Sequence, residues 1–172
     1  MDLAKLACAV MPTLRRPGLL LVSASRNRRP NVMAIGWGLI GNVWGIPMFV
    51  AAVRPSRYTH DLIEATKDFT VNVPAKGMDD VVSTCGSISG RQVDKFKETG
   101  LIPMPSRKVK SPIIKQCIAH LECSVLYQFQ IEKRRLPKQI KLRVYPHGNY
   151  HDIYFGRILK AYADKDYESK LP

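Results

Sequence analysis

The sequence is short of acidic residues and lacks the common nucleotide and protease motifs. Its 172 residues include 14 Asp and Glu against 27 Lys and Arg, so the formal net charge is +13. There is no GxGxxG, no GxxxxGK[ST] and no HExxH, and these absences argue against a Rossmann domain, a P-loop NTPase and a zinc protease of that type. Because 45% of the residues are hydrophobic, the chain can bury a core, and we expect one domain over residues 1–172.

The cysteines predict neither disulfides nor a metal site. Cys8, Cys85, Cys117 and Cys123 form no CxxC pair, and the N-terminal stretch has its charges in the wrong order for a signal peptide. On a strand, Cys117 and Cys123 would point away from His120, and no fourth ligand is near in the sequence. We therefore expect free thiols, no metal and a cytoplasmic protein.

One uncharged run, residues 32–53, is long enough to cross a membrane. Its four glycines and Pro47 lie in its middle, so we predict two buried strands joined by a turn and no membrane span. The first strand has bulky residues at odd positions and small ones at the even positions Ala34, Gly36 and Gly38. Such a small face admits a flat ligand, or simply the close approach of a neighbouring strand or subunit.

The rest of the pattern is dominated by strands. We predict strands over residues 18–25, 32–40, 47–54, 69–74, 121–131 and 150–162, helices over 56–68, 78–85 and 93–99, and an extended loop over 102–112. Strands occupy both ends and short helices lie between them. This order predicts a mainly β fold, an antiparallel β-barrel with α insertions.

Two short segments suggest anion binding. Residues 54–60 (RPSRYTH) combine two arginines and two hydroxyls with the start of a helix, whose free N–H groups favour phosphate or carboxylate. The alternative is an ordinary helix start, capped by Ser56 or Thr59, with solvated arginines. Residues 86–91 (GSISGR), followed by Lys95, form either a second anion-binding turn or a connector between helices. Together with the small-faced strand, they suggest a flat phosphorylated cofactor.

Ordered blocks along the chain carry a family resemblance. They are RPGLLLVSAS (16–25), PNVM (30–33) followed by Trp37, Pro47 with FVAAVRPSRYT (49–59), FTVNVP (69–74), CGSISGR (85–91), VDKF (93–96), TGL (99–101) and HLEC (120–123). In this order and spacing the chain resembles the flavin reductase-like, FMN-binding proteins of the split β-barrel class, the flavoredoxin group. The resemblance implies a Greek-key split β-barrel and a homodimer with FMN near the subunit interface.

The resemblance also implies which residues contact FMN. Those expected around the phosphate are Arg54, Ser56, Arg57 and Thr59. Those expected on the loop that approaches the flavin are Ser87, Ser89, Gly90 and Lys95. Those expected along the isoalloxazine ring are Met33, Ala34, Ile35, Gly36 and Trp37. The chain departs from the family at Ala34 and Gly36, where hydroxyl side chains are common, in the basic insert 132–149, and in its short tail after Ala163.

Three functions follow as hypotheses. The first is an FMN-dependent oxidoreductase that passes electrons from NAD(P)H to a flavin, a metal ion or a protein. It needs no catalytic side chain, because the cofactor carries the chemistry. The second is an FMN-binding electron carrier or store without NAD(P)H activity. The choice between NADH and NADPH, and whether FMN is a tight prosthetic group or a substrate, stay open.

The third hypothesis is a basic nucleic-acid-binding module, suggested by the run of lysines and arginines in residues 133–143. Tyr127 and Phe129 share a strand face with Leu121 and Val125, so we predict that they are core residues and not a platform for stacked bases. The basic run is then either a solvated loop or a docking patch for an acidic redox partner.

Overall fold

The computed structural model describes residues 2–172. Its helices are α1 (Leu3–Arg15), α2 (Tyr58–Thr66), α3 (Asp79–Ser87), α4 (Lys95–Thr99) and α5 (Lys138–Val144), with 3-10 turns over Lys133–Arg135 and Tyr167–Lys170. Its strands are β1 (Leu19–Ala24), β2 (Pro30–Ile35), β3 (Gly38–Val43), β4 (Ile46–Val53), β5 (Asp68–Val73), β6 (Pro103–Met104), β7 (Ile113–Ile114), β8 (Ala119–Gln130) and β9 (Asp152–Ala163).

Seven of the strands form one antiparallel sheet in the order β2-β1-β5-β8-β9-β4-β3. The outermost strands β2 and β3 are consecutive in the chain, and only Gly36 and Trp37 separate them. The sheet must therefore curl until its two edges meet, although they do not pair and the barrel stays open. Register shifts in β8, after Glu122 and after Val125, bend the sheet further. The prediction of an antiparallel barrel with helical insertions is confirmed.

The strand predicted over residues 32–40 is wrong in one respect, because the chain leaves one edge of the sheet and joins the other at Gly36 and Trp37. The faces consequently change: Met33 and Ile35 are buried, whereas Trp37 is 49% exposed and Leu39 is 61% exposed. Among the described residues, no helix is long and apolar enough to cross a membrane.

Two helices, α1 and α5, were not predicted from the sequence. α1 buries Leu6, Val10 and Leu14, which are spaced four apart along one helical face, and this spacing is the signal that could have predicted it. The Asp2 side chain caps the helix by accepting from the N–H groups of Ala4 and Lys5. α5 lies inside the basic insert and buries no residue, so it had no apolar stripe to reveal it.

Strand β1 has apolar cores on both sides, which explains its unbroken apolar run. Leu19 and Leu21 face the barrel interior, where they join side chains from α1 and the other strands. Leu20 and Val22 face outward and pack with residues of α3 and α4. The sheet therefore positions α3, and with it the loop that follows α3, against the outside of the barrel.

Polar side chains of β5 and β8 fix the segment over residues 106–114, a loop that ends in β7. Asp68 accepts the N–H groups of two adjacent loop residues at 3.0 and 3.1 Å, and Asn72 accepts a third at 3.0 Å. Glu122, which is fully buried, accepts the N–H groups of Arg107 and Lys108. These bonds replace the water that each buried carboxylate gives up on folding.

Candidate functional site

Two adjoining cavities lie where β2, the start of α2 and the end of α3 meet. The first, about 340 Å³, is lined by Asn31, Met33, Arg54, Ser56, Arg57, Tyr58, Thr59, Ser87, Ile88, Ser89, Gly90, Lys95 and Asn149. The second, about 190 Å³, is lined by Met33, Ala34, Ile35, Gly36, Trp37, Ala52, Arg54, Arg57 and His151. They share Met33, Arg54 and Arg57, and we refer to them together as the groove. Every cofactor residue predicted from the sequence lines one of the two cavities.

The first turn of α2 has no side-chain cap, and its residues line the first cavity. Arg57 stands at the cap position, so the prediction that Ser56 or Thr59 caps the helix is wrong. Ser56 Oγ instead accepts from Asn149 Nδ2 at 2.7 Å, and Thr59 Oγ1 accepts from Asn31 Nδ2 at 2.8 Å. The N–H groups of a first helical turn lack partners within the helix, so this end of the cavity favours an anion.

The two arginines of the segment have different partners. Arg54 donates to the carbonyl oxygens of Val144 at 3.1 Å and Asn149 at 3.2 Å, and its guanidinium lies 5.2 Å from the centre of the Tyr145 ring. Arg54 thus holds the end of the basic insert against the groove. Arg57 donates to Gly86 O at 3.0 Å and so links the start of α2 to the end of α3.

Lys95 is a buried cation at the wall of the first cavity. Only 4% of it is exposed, and its Nζ donates to the Cys85 carbonyl at 2.7 Å. Burial lowers the pKa of Lys95, and the charge of Arg57 lowers it further. Within residues 2–172 it forms no ion pair. A buried ammonium without a carboxylate is costly, and an anion in the cavity would offset that cost.

Trp37 and His151 form an aromatic wall of the second cavity, with their ring planes tilted by 43°. Their ring centres are 4.8 Å apart, and the Tyr145 hydroxyl lies 2.8 Å from His151 Nδ1. Burial, reinforced by the charges of Arg54 and Arg57, lowers the pKa of His151 from 6.5 to about 4. The imidazole is therefore neutral at neutral pH and offers a flat surface without charge.

Two titratable side chains near the groove, His60 and Cys85, line neither of its cavities. His60 Nε2 is 2.6 Å from Asp152 Oδ2, and the histidine lines neither cavity. Burial raises the pKa of Cys85 to about 11, so its thiol is protonated at neutral pH and is not a reactive thiolate. All four cysteines are free, and all except Cys8 are buried.

Sequence reasoning missed six residues of the groove: Asn31, Ala52, Tyr58, Ile88, Asn149 and His151. Asn31 and Tyr58 lie inside blocks that carried the family resemblance, so their positions could have been included. Asn149 and His151 lie at and just beyond the end of the basic insert. Tertiary contacts bring them to the groove: Asn149 bonds with Arg54 and Ser56, and His151 immediately precedes β9, which pairs with β4.

An apolar surface continues from the groove across the outside of the sheet. Its main side chains, which we call the outer aromatic face, are Trp37, Leu39, Trp44, Tyr127, Phe129 and Phe155. The prediction that Tyr127 and Phe129 are core residues is wrong, because they are 53% and 44% exposed. Adjacent rings on this face have centres 5.9–6.5 Å apart.

Comparison with known proteins identifies a family model and relatives that match this chain. The family model described as "Flavin reductase like domain" matches residues 14–171. An uncharacterized protein of Archaeoglobus fulgidus is 35% identical over 102 residues, which are 59% of this chain and 57% of that protein. The alignment thus spans less than two thirds of that relative.

Solved structures agree with the family match. Flavoredoxin from Methanosarcina acetivorans is 31% identical, with a TM-score of 0.68 over 88% of this chain and 70% of that one. Flavoredoxin of Desulfovibrio vulgaris (Miyazaki F) is 25% identical, with a TM-score of 0.71 over 91% and 75% of the two chains.

The close packing of Asn31 against Gly90 can be tested by adding a methyl group at Gly90. A Cβ built on Gly90 would lie 2.6 Å from Asn31 Cγ and 3.1 Å from Tyr58 Cδ1, so no side chain fits there. We expect Gly90→Ala to lower the free energy of unfolding by about 1–3 kcal/mol in urea denaturation, because it displaces the Asn31 amide from Thr59. The control is Gly41→Ala, since nothing lies within 4 Å of that Cβ. Equal stability of the two variants would contradict this account.

Proposed function

The chain belongs to the flavin reductase-like domain family, and we propose that it is an FMN-binding oxidoreductase that passes electrons from NAD(P)H to a flavin, a metal ion or a protein acceptor. The observation that carries the proposal is the first cavity, where the uncapped start of α2 and the buried, unpaired Lys95 line one space. The proposal takes residues 1–172 as one flavin-binding domain with an insert at 132–149.

The first cavity suits the phosphate of FMN. Arg57, Ser56 and the N–H groups of the first turn of α2 are the donors that we assign to it. Thr59 contributes its backbone, since its hydroxyl already accepts from Asn31. The serines of the loop after α3, Ser87 and Ser89, are assigned to the same end of the cofactor. Arg54 lines the same cavity and also holds the insert against it through its two backbone bonds.

The second cavity suits the flat ring of the flavin. Ala34 and Gly36 provide a small surface, and Met33 lines both cavities and so marks the passage between them. With Ala34 and Gly36 in place of hydroxyl residues, backbone groups are the donors available to the ring on this stretch. Trp37 and His151 supply an aromatic wall beside it.

When bound, FMN supplies hydride acceptance at N5 and the release of electrons to an acceptor. The chain's own residues bind the cofactor, orient it and limit the water around it. His151 is neutral at neutral pH, so it contributes shape and not charge. Arg54 and Arg57 provide a positive field beside the ring, which favours the reduced, more negative state of a flavin. No catalytic side chain is assigned.

We also assign a homodimer with the cofactor near its interface. The outer aromatic face supports this assignment, because a contiguous apolar surface on a sheet commonly marks an interface, and this one begins at Trp37 beside the second cavity. In sedimentation velocity the protein should behave as a dimer, and Trp44→Lys should shift it toward monomer. The matched control is Val93→Lys, at an exposed apolar residue outside the face. A wild-type protein that stays monomeric at high concentration would contradict the assignment.

The cofactor assignment is tested by Arg57→Gln. We expect the Kd for FMN to rise about tenfold, because one charge-assisted contact to the phosphate is lost. The measurement is a titration of FMN fluorescence, with Arg26→Gln as the control at an exposed arginine of the β1–β2 turn. A wild-type protein that takes up no FMN would overturn the proposed function.

The second candidate is an FMN-binding electron carrier or store without its own NAD(P)H activity. It is favoured by the absence of a dinucleotide motif from the sequence. Anaerobic mixing of the FMN-loaded protein with NADH and with NADPH separates the two. We expect one of them to bleach the visible flavin band within a turnover time of seconds or less, whereas a band that persists with both would favour the carrier.

A further inference from the structure

The basic insert carries a second set of unpaired cations beside the groove. Its single acid, Glu132, is paired with Arg134 at 2.6 Å and with Arg135 at 3.0 Å. Within the described chain, no acidic group forms an ion pair with Lys133, Lys138 or Lys141. The positive charge of these three lysines is therefore available to a ligand.

The three lysines converge on a concavity of about 570 Å³ between the Lys133–Arg135 turn, α5 and the loop that follows it. Its apolar lining includes Leu142, Tyr145 and Tyr150, and the two tyrosine rings have their centres 4.7 Å apart. Ammonium groups recognise phosphate as point charges, and aromatic and aliphatic surfaces accept a flat base. The chemistry of this concavity is that of a site for a phosphorylated nucleotide.

One hydrogen-bonded pair separates this concavity from the groove. Tyr145 lines the concavity, and its hydroxyl lies 2.8 Å from Nδ1 of His151, which lines the second cavity. The Arg54 guanidinium also packs on the Tyr145 ring, 5.2 Å from its centre. A ligand whose phosphates lie among the lysines would therefore have its far end near the wall formed by His151 and Trp37.

We propose that this concavity binds the diphosphate and adenosine half of the nicotinamide dinucleotide that reduces the protein. The proposal rests on the proposed function, since it gives the donor of that reaction a binding site. A concave site with an aromatic lining fits a small ligand better than the flat patch that docking of an acidic protein requires. The insert then binds the dinucleotide in a chain whose sequence contains no dinucleotide-binding motif.

The test uses the FMN-loaded protein and the double variant Lys138→Gln/Lys141→Gln. ADP is the probe, because it carries the diphosphate and the base and needs no turnover. By calorimetry at low ionic strength, we expect the Kd for ADP to rise about tenfold in the double variant, as two phosphate contacts are lost. The control is Lys97→Gln/Lys165→Gln, an equal change of charge at two exposed lysines outside the insert.

Turnover gives a second readout. In the double variant the KM for the dinucleotide should rise by a similar factor, while kcat and FMN content stay at the wild-type values. ADP binding that is absent from the wild-type protein, or equal in both double variants, would overturn the proposal. If the Lys138→Gln/Lys141→Gln variant lost activity with an acidic protein acceptor but kept its affinity for ADP, the proposal would be overturned in favour of partner docking.

The two proposals fail separately. If the protein bound ADP in a manner dependent on Lys138 and Lys141 but took up no FMN, the nucleotide site would be supported and the proposed function contradicted. If the protein took up FMN and oxidised the dinucleotide with the same KM in both double variants, the proposed function would be supported and this site contradicted.

Discussion

The groove depends on one buried amide, that of Asn31. Its Nδ2 donates to Thr59 of α2, and its side chain fills the space beside Gly90 in the loop after α3. A strand, a helix and a loop that are distant in sequence are thereby held at fixed spacing. Because a buried amide that loses its partner is costly, the arrangement resists small shifts. The uncapped helix start and Lys95 keep their places on the first cavity only while this spacing holds.

Much of the fold was predictable because its strands alternate or are uniformly apolar and its turns contain glycine and proline. The break at Gly36 and Trp37 was not, since the alternation of bulky and small residues runs through it without interruption. What ends β2 there is the meeting of the two sheet edges, which is a property of the whole barrel. The prediction for Tyr127 and Phe129 failed because the register shift after Val125 turns them to the outer face of the sheet, and period-two alternation read from the sequence does not show a β-bulge.

The site likewise divides into residues that local sequence predicts and residues that only the tertiary structure brings in. Groove residues in the ordered blocks could be predicted because each block is a local segment of the sequence, whereas Asn149 and His151 come from a distant part of the chain. Asn149 is held there by its bonds with Arg54 and Ser56, and His151 by the pairing of the adjacent β9 with β4. Arg54, which the family resemblance implied as a phosphate ligand, lines both cavities and also donates to two carbonyl oxygens of the insert, a contact that the sequence did not indicate. The exposure of Tyr127 and Phe129 removes one argument against a nucleic-acid-binding module. The remaining argument against such a module is the match to the flavin reductase-like family model.

The two-residue join between the edge strands also bears on how the protein behaves at high concentration. An open sheet normally presents two free edges, and each is a template on which another chain can add a strand and begin to aggregate. Here β2 and β3 are tied together at Gly36 and Trp37, and β2 is further covered by α3. The same curl that creates the groove therefore limits the strand edge to which a partly unfolded neighbouring chain could add a strand.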